Sequence, residues 1–148
     1  MYYFDTSALV KLYHTEIGSD IIIKLFEETS NGNFISELAL VEFYSALFAK
    51  LRNKEIVDER TAQAIIVGFE QDMQAERILK LNSTILSGAK NMLKRFGATH
   101  SLKTYDALHL ATFEQIAIAE PVKFVSADSR LCKIAYEMGF NTIDPLHI

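Results

Sequence analysis

Residues 1–13 read MYYFDTSALVKLY. Three aromatic residues, Tyr2, Tyr3 and Phe4, run straight into Asp5, then two small hydroxyls, Thr6 and Ser7, then a second apolar run. The first run is too short for a helix and predicts a buried strand; the second predicts a helix over about 7–13. The chain therefore opens as strand, acid, helix. A carboxylate at the end of a buried strand is costly unless something compensates it. Either a local helix cap or a functional site must account for Asp5.

The same alternation recurs along the chain. Further strand-like runs lie at Phe34–Ile35, Ile78–Leu81, Val122–Val125 and Thr142–Ile143, and helical patterns at about 19–29, 37–52, 58–75, 83–96, 105–118 and 129–138 separate them. The punctuation agrees: NGN at 31–33 predicts a turn, Gly97 and Gly139 fit helix C-termini, and Asn82 or Ser83 fits a cap. Strands alternating with helices imply right-handed crossovers and a mainly parallel sheet covered on both faces. No repeat, low-complexity tract or linker interrupts the pattern, so residues 1–148 read as one α/β domain.

Bulk properties set the outer bounds. With 49% hydrophobic and 23% charged residues the chain has the balance of a globular protein and can bury a core. No apolar stretch approaches the roughly 20 residues of a membrane span, and Asp5 interrupts any signal-peptide pattern, so a cytoplasmic protein without membrane association is expected. Cys132 is the single cysteine, which excludes an intrachain disulfide and a thiolate cluster and suits a small core residue. A net charge of −4 argues against a protein that holds nucleic acid by overall basicity. It is compatible with carboxylate-held metal ions and a local basic rim, for which Lys50, Arg52 and Lys54, or Lys90, Lys94, Arg95, His100 and Lys103, are available.

Four acids stand out. Asp5 follows the first strand, and Asp128 follows the strand KFVS after one alanine, so both project from the carboxyl edge, where open parallel sheets bind ligands. In SLKTYDALHLATF, Thr104 can cap a helix and Asp106 then falls in its first turn, where the helix dipole alone would favour it. Glu42 lies in SELALVEFYSALFAKL, where Leu40, Phe43, Tyr44, Leu47, Phe48 and Leu51 form one apolar face. It stands instead on a second stripe with Leu38, Ser45, Ala46 and Ala49, which predicts burial and a compensating partner, either an Arg or Lys or a bound cation. Acids repelling one another at one edge suit a hard divalent cation, Mg²⁺ or Mn²⁺, and metal-assisted attack of water on a phosphodiester.

In order and spacing, YFDTSALVKLY, LALVEFYSAL, YDALHLAT and FVSADSRLCKIAYEMGFNTIDP resemble the four acidic motifs of PIN-domain ribonucleases, in particular the VapC toxins of toxin–antitoxin pairs. The resemblance runs from Met1 to about Pro145. It implies a PIN-like three-layer α/β/α sandwich with a mainly parallel five-stranded sheet, and an endoribonuclease using one or two Mg²⁺ or Mn²⁺ ions. Asp5, Glu42, Asp106 and Asp128 would form its acidic quartet, with Asp5 and Asp106 in direct metal contact and Asp128 and Glu42 coordinating directly or through water. Thr6, Ser7 and Ser126 would supply supporting hydroxyls, although helix capping also accounts for such residues. The resemblance further implies an RNA substrate, a homodimer and a cognate VapB-like antitoxin whose C-terminal segment lies over the active-site groove. The aromatic and leucine-rich helix over 40–51 is a candidate for part of that groove, core packing being the other account of its apolar stripe. The alternative is a PIN-like RNA- or protein-binding module without cleavage.

Other chemistries lack their parts. His14, His100, His109 and His147 are scattered, and His109, one turn after Asp106, is expected to pack and make one hydrogen bond. No phosphate-binding glycine loop is present, and an aspartyl-phosphate phosphatase would need a second Asp where Ser7 stands. Glu16, after the first short helix, could lie near the opening of the site, helix-flanking charge being its ordinary account, and Asp144 reads as a turn residue.

Overall fold

The structure, a computed structural model, describes residues 1–147. Five short strands, β1 (Tyr2–Phe4), β2 (Phe34–Ser36), β3 (Arg77–Leu79), β4 (Lys123–Val125) and β5 (Thr142–Ile143), pair in the order β3-β2-β1-β4-β5, every pair parallel. The helices between them are α1 (Thr6–Val10), α2 (Ser19–Glu27), α3 (Glu37–Arg52), α4 (Glu59–Asp72), α5 (Ser83–His100), α6 (Thr104–Ala117) and α7 (Ser129–Glu137). A 3₁₀ turn at Met73–Ala75 follows α4.

The period of two within each strand sorts side chains to the two faces. Tyr3, Phe34 and Phe124 lie on one face and pack with Ile85, Met92, Leu110, Phe113, Leu131 and Ile134 of α5, α6 and α7. On the other, Ile35 packs with Leu9, Phe43, Leu47 and Phe69, while Phe4 and Val125 meet Ala8 and Ile22. Helices thus cover both faces, giving the α/β/α sandwich with a fully parallel sheet.

Three local features differ from the sequence reading. α1 ends at Val10, and turns rather than a helix carry the chain through 11–13. Gly97 does not end α5, which runs on to His100 and ends at Ser101 in the left-handed conformation, φ 52°. Packing overrides the glycine here: Ala89, Met92 and Phe96 of α5 are buried in the core shared with α6. Thr104 is the first helical residue of α6 and not its cap, which is Lys103. The turn at 31–33 is as expected, with Gly32 at φ 77°, where a Cβ would come within 2.6 Å of the Ala75 carbonyl oxygen.

Candidate active site at the β1–β4 switch

β1 has β2 on one side and β4 on the other, so the strand order reverses between β1 and β4. The crevice beyond the carboxyl ends of this pair is where an open parallel sheet binds ligands. Asp5 leaves β1 there, its amide still donating to Val125 at 3.1 Å, and Asp128 follows β4.

Asp5 is only 4% exposed. It caps α1, Oδ1 accepting from the Ala8 amide at 2.9 Å; Ser7 donates to Oδ1 at 2.8 Å, and Ser126 to Oδ2 at 2.8 Å. Both explanations for this acid are therefore partly met: it is a cap, yet a buried one. Among the described residues no Lys or Arg pairs with it. Burial pushes its carboxyl above the ordinary range despite the nearby His109 and the Ala8, Ser126 and Ser7 hydrogen bonds.

Asp128 caps α7, accepting from the Arg130 and Leu131 amides at 3.0 and 3.1 Å. Its own amide donates to Ser126 Oγ at 3.0 Å, so one buried hydroxyl links Asp5 to Asp128. Asp106 accepts from the Lys103 amide at 3.1 Å, at the third position of α6. One guanidinium nitrogen of Arg130 lies 2.8 Å from Asp106 Oδ2 and 2.8 Å from Asp128 Oδ2. Sequence reasoning passed over Arg130 because DSR reads as an ordinary charge pair at the start of a helix.

Glu42 is half-buried, and its compensation is neither an Arg nor a Lys. His109 Nε2 lies 2.7 Å from Glu42 Oε2, and Thr6 donates to the same oxygen at 2.5 Å. Burial raises the Glu42 carboxyl, but the His109 and Thr6 hydrogen bonds outweigh it and hold the group below its ordinary range. An ionised carboxylate only accepts, so His109 donates from Nε2 to Glu42, while its Nδ1 lies 2.9 Å from the Tyr3 hydroxyl. His109 thus has several polar partners rather than the single one expected, and it meets Glu42 rather than Asp106. An apolar helix face bearing a polar residue three positions after an acid was the available signal.

The stripe bearing Glu42 is not buried as expected. Leu38, Val41, Glu42, Ser45, Ala46 and Ala49 line a groove of about 540 Å³ with Thr6 and Tyr105, and Val41 is 70% exposed. The apolar face of the same helix, through Phe43 and Leu47, packs in the core. Beside the groove, Glu16 is more than flanking charge: it pairs with Lys11 at 3.0 Å and Lys50 at 3.3 Å next to Thr6 and Ser7. Lys50 also pairs with Glu55, whereas Lys90, Lys94 and Arg95 are exposed along α5.

The four acids therefore share one edge in two linked groups, Asp106–Arg130–Asp128–Ser126–Asp5 and Thr6–Glu42–His109–Tyr3. Among the described residues, no three His, Cys, Asp or Glu side chains converge closely enough to hold a metal ion. The donor chemistry nevertheless suits a hard divalent cation: the acids offer oxygen, Asp5 is a buried carboxylate that no Lys or Arg pairs with among the described residues, and a positive nitrogen already sits between Asp106 and Asp128. Of the described helices, none is long and apolar enough to cross a membrane.

Comparison with known proteins bears on the family and the fold. The family model of the PIN domain matches residues 2–136. Ribonuclease VapC45 of Mycobacterium tuberculosis is 33% identical over 138 residues, covering 93% of this chain and 90% of that protein. The crystal structure of Mycobacterium tuberculosis VapC20, a Sarcin-Ricin loop cleaving toxin, superposes with a TM-score of 0.71 at 17% identity, covering 98% of this chain and all of that one. A toxin–antitoxin complex from Klebsiella pneumoniae gives a TM-score of 0.63 at 19% identity, with full coverage of both chains. With its strand order, its acids at the β1–β4 switch and a family match over most of its length, this chain belongs to the PIN-domain family as a VapC-like member.

Proposed function

We propose that the chain, as a single PIN-like domain over 1–148, is a metal-dependent endoribonuclease and the toxin of a VapBC-type pair. The observation that carries this reading is Asp5, a buried carboxylate at the β1–β4 switch, held by hydroxyls and an amide and left without a basic partner among the described residues. Such an anion is costly in a purely structural role and useful beside a cation. The relatives named ribonuclease VapC supply the substrate class.

Asp5 and Asp106 are the residues we assign to direct metal contact, with Asp128 and Glu42 coordinating directly or through water. Bound there, one or two Mg²⁺ or Mn²⁺ ions would supply a polarised phosphoryl group and a water of lowered pKa. Ser7 and Ser126 donate to Asp5 and aim it, and Thr6 does the same for Glu42. The groove lined by Leu38, Val41, Ser45 and Tyr105 opens beside Glu42 and suits the C-terminal segment of a VapB-like antitoxin, in a complex built on a toxin homodimer. The Klebsiella toxin–antitoxin complex, which shares the fold, supports a partner of this kind.

The test is cleavage of a panel of structured and single-stranded RNAs by wild type, Asp5→Ala and Asp106→Ala in Mn²⁺, Mg²⁺ and EDTA. Metal-dependent cleavage lost in both folded variants is expected. Full activity in either variant would refute its assignment. Failure of folded, inhibitor-free wild type to cut any RNA would favour a binding-only module.

A further inference from the structure

Arg130 Nη2 stands 2.8 Å from an oxygen of Asp106 and 2.8 Å from an oxygen of Asp128, two acids brought together from α6 and the start of α7. Its other terminal nitrogen donates to the Ser101 carbonyl at 3.1 Å, which tethers the guanidinium to the end of α5. A single positive nitrogen thus already balances both carboxylates. A guanidinium stays positive throughout the working range, so this nitrogen carries charge whenever the two carboxylates do.

We propose that Arg130 is an internal counter-cation that holds the Asp106–Asp128 pair together without metal and must be displaced for metal to enter. This rests on the metal-dependent reading above. The guanidinium competes with a divalent ion for these oxygens, because it already balances the charge of both carboxylates and, at hydrogen-bonding distance from them, repels an incoming cation. The Arg130 bridge therefore lowers metal affinity while stabilising the metal-free protein. It is a positioning residue that sets the metal concentration at which the site fills. A merely structural residue acts otherwise, since its loss would loosen the acids and weaken both stability and metal binding.

The experiment is a calorimetric Mn²⁺ titration of wild type, Arg130→Ala and Arg130→Met, paired with thermal melts in EDTA and in Mn²⁺. Lys133→Ala, an exposed change one turn further along α7, controls for net charge. Expected are Mn²⁺ affinities about tenfold or more tighter in the Arg130 variants, a lower melting temperature in EDTA, and a larger Mn²⁺-induced rise than in wild type. Tighter binding in Arg130→Met alone would suffice if Arg130→Ala does not fold. Wild-type Mn²⁺ binding with unchanged or weaker affinity in the variants, or an equal gain in Lys133→Ala, would overturn the proposal and leave the metal site standing. No Mn²⁺ binding by any folded form would overturn the metal-dependent reading, and this proposal with it.

Discussion

Ser126 Oγ, wholly buried after β4, donates to Asp5 Oδ2 at 2.8 Å across 121 positions of sequence. The same hydroxyl accepts from the Asp128 amide. Two acids that the chain encodes at opposite ends are thus fixed to each other by one serine.

Ser126→Ala should cost about 1.5–3 kcal/mol at neutral pH, the range for losing a hydrogen bond to a charged group. Denaturant unfolding measures it. In an Asp5→Asn background the loss should shrink, because the charge that made the bond strong is gone. Equal costs in both backgrounds would show that Ser126 acts without Asp5.

Asp5→Asn should raise the melting temperature at pH 7 in EDTA, by about 2–5 °C. The folded protein holds the Asp5 proton more tightly than the unfolded chain does, because burial raises its pKa. Between the unfolded and the raised folded value the native state binds more protons, so stability falls as pH rises through that window and stays reduced above it. The asparagine removes the loss. A melting temperature that drops at pH 7 would mean that the hydroxyls and the Ala8 amide outweigh burial.

His109→Ala should destabilise by about 3 kcal/mol, since it empties a buried ring site and strips Glu42 of a hydrogen bond. His109→Gln should retain part of that. Glu42 has the opposite linkage to Asp5: its folded pKa is lowered, so its contribution is present above the unfolded value and is lost as pH falls through the folded one. Urea midpoints across acidic pH should show this dependence in wild type and less of it in His109→Ala.

Phe43 and Phe69 stack with centroids 3.7 Å apart and planes 8° from parallel, joining α3 to α4. Phe69→Ala should cost about 3–5 kcal/mol and Phe69→Leu less, measured by the same unfolding. Because α3 carries Glu42, RNA cleavage at a temperature where Phe69→Leu remains folded should fall only modestly; a loss equal to that of Asp5→Ala would mean the stack also sets the site.

Cys132 should resist thiol reagents in the native state. It is buried, and burial pushes its thiol up to about 12. Labelling should follow unfolding, and rapid labelling of folded protein would contradict the packing of α7.

The sequence carried the architecture because each strand ends at a residue that breaks its pattern, and Asp5, Asp106 and Asp128 are among the first residues after such breaks or within the first turn of a helix. Glu42 was legible as an anomaly, but its partner was not: His109 lies 67 positions away, on a helix that covers the other face of the sheet. Arg130 was illegible for the same reason, since its bridge to Asp106 spans 24 positions. Gly97 and Thr104 misled because local propensity at a helix end yields to the long shared core of α5 and α6.

The order β3-β2-β1-β4-β5 places the first strand of the chain at the middle of the sheet, with β4 as a neighbour some 120 residues later. Closing that pair is a contact of high sequence separation, whose loop-closure cost slows folding. On a ribosome, Asp5 emerges long before Ser126 and Asp128. The Asp5–Ser126–Asp128 arrangement can therefore close only once β4 and the start of α7 have been synthesised.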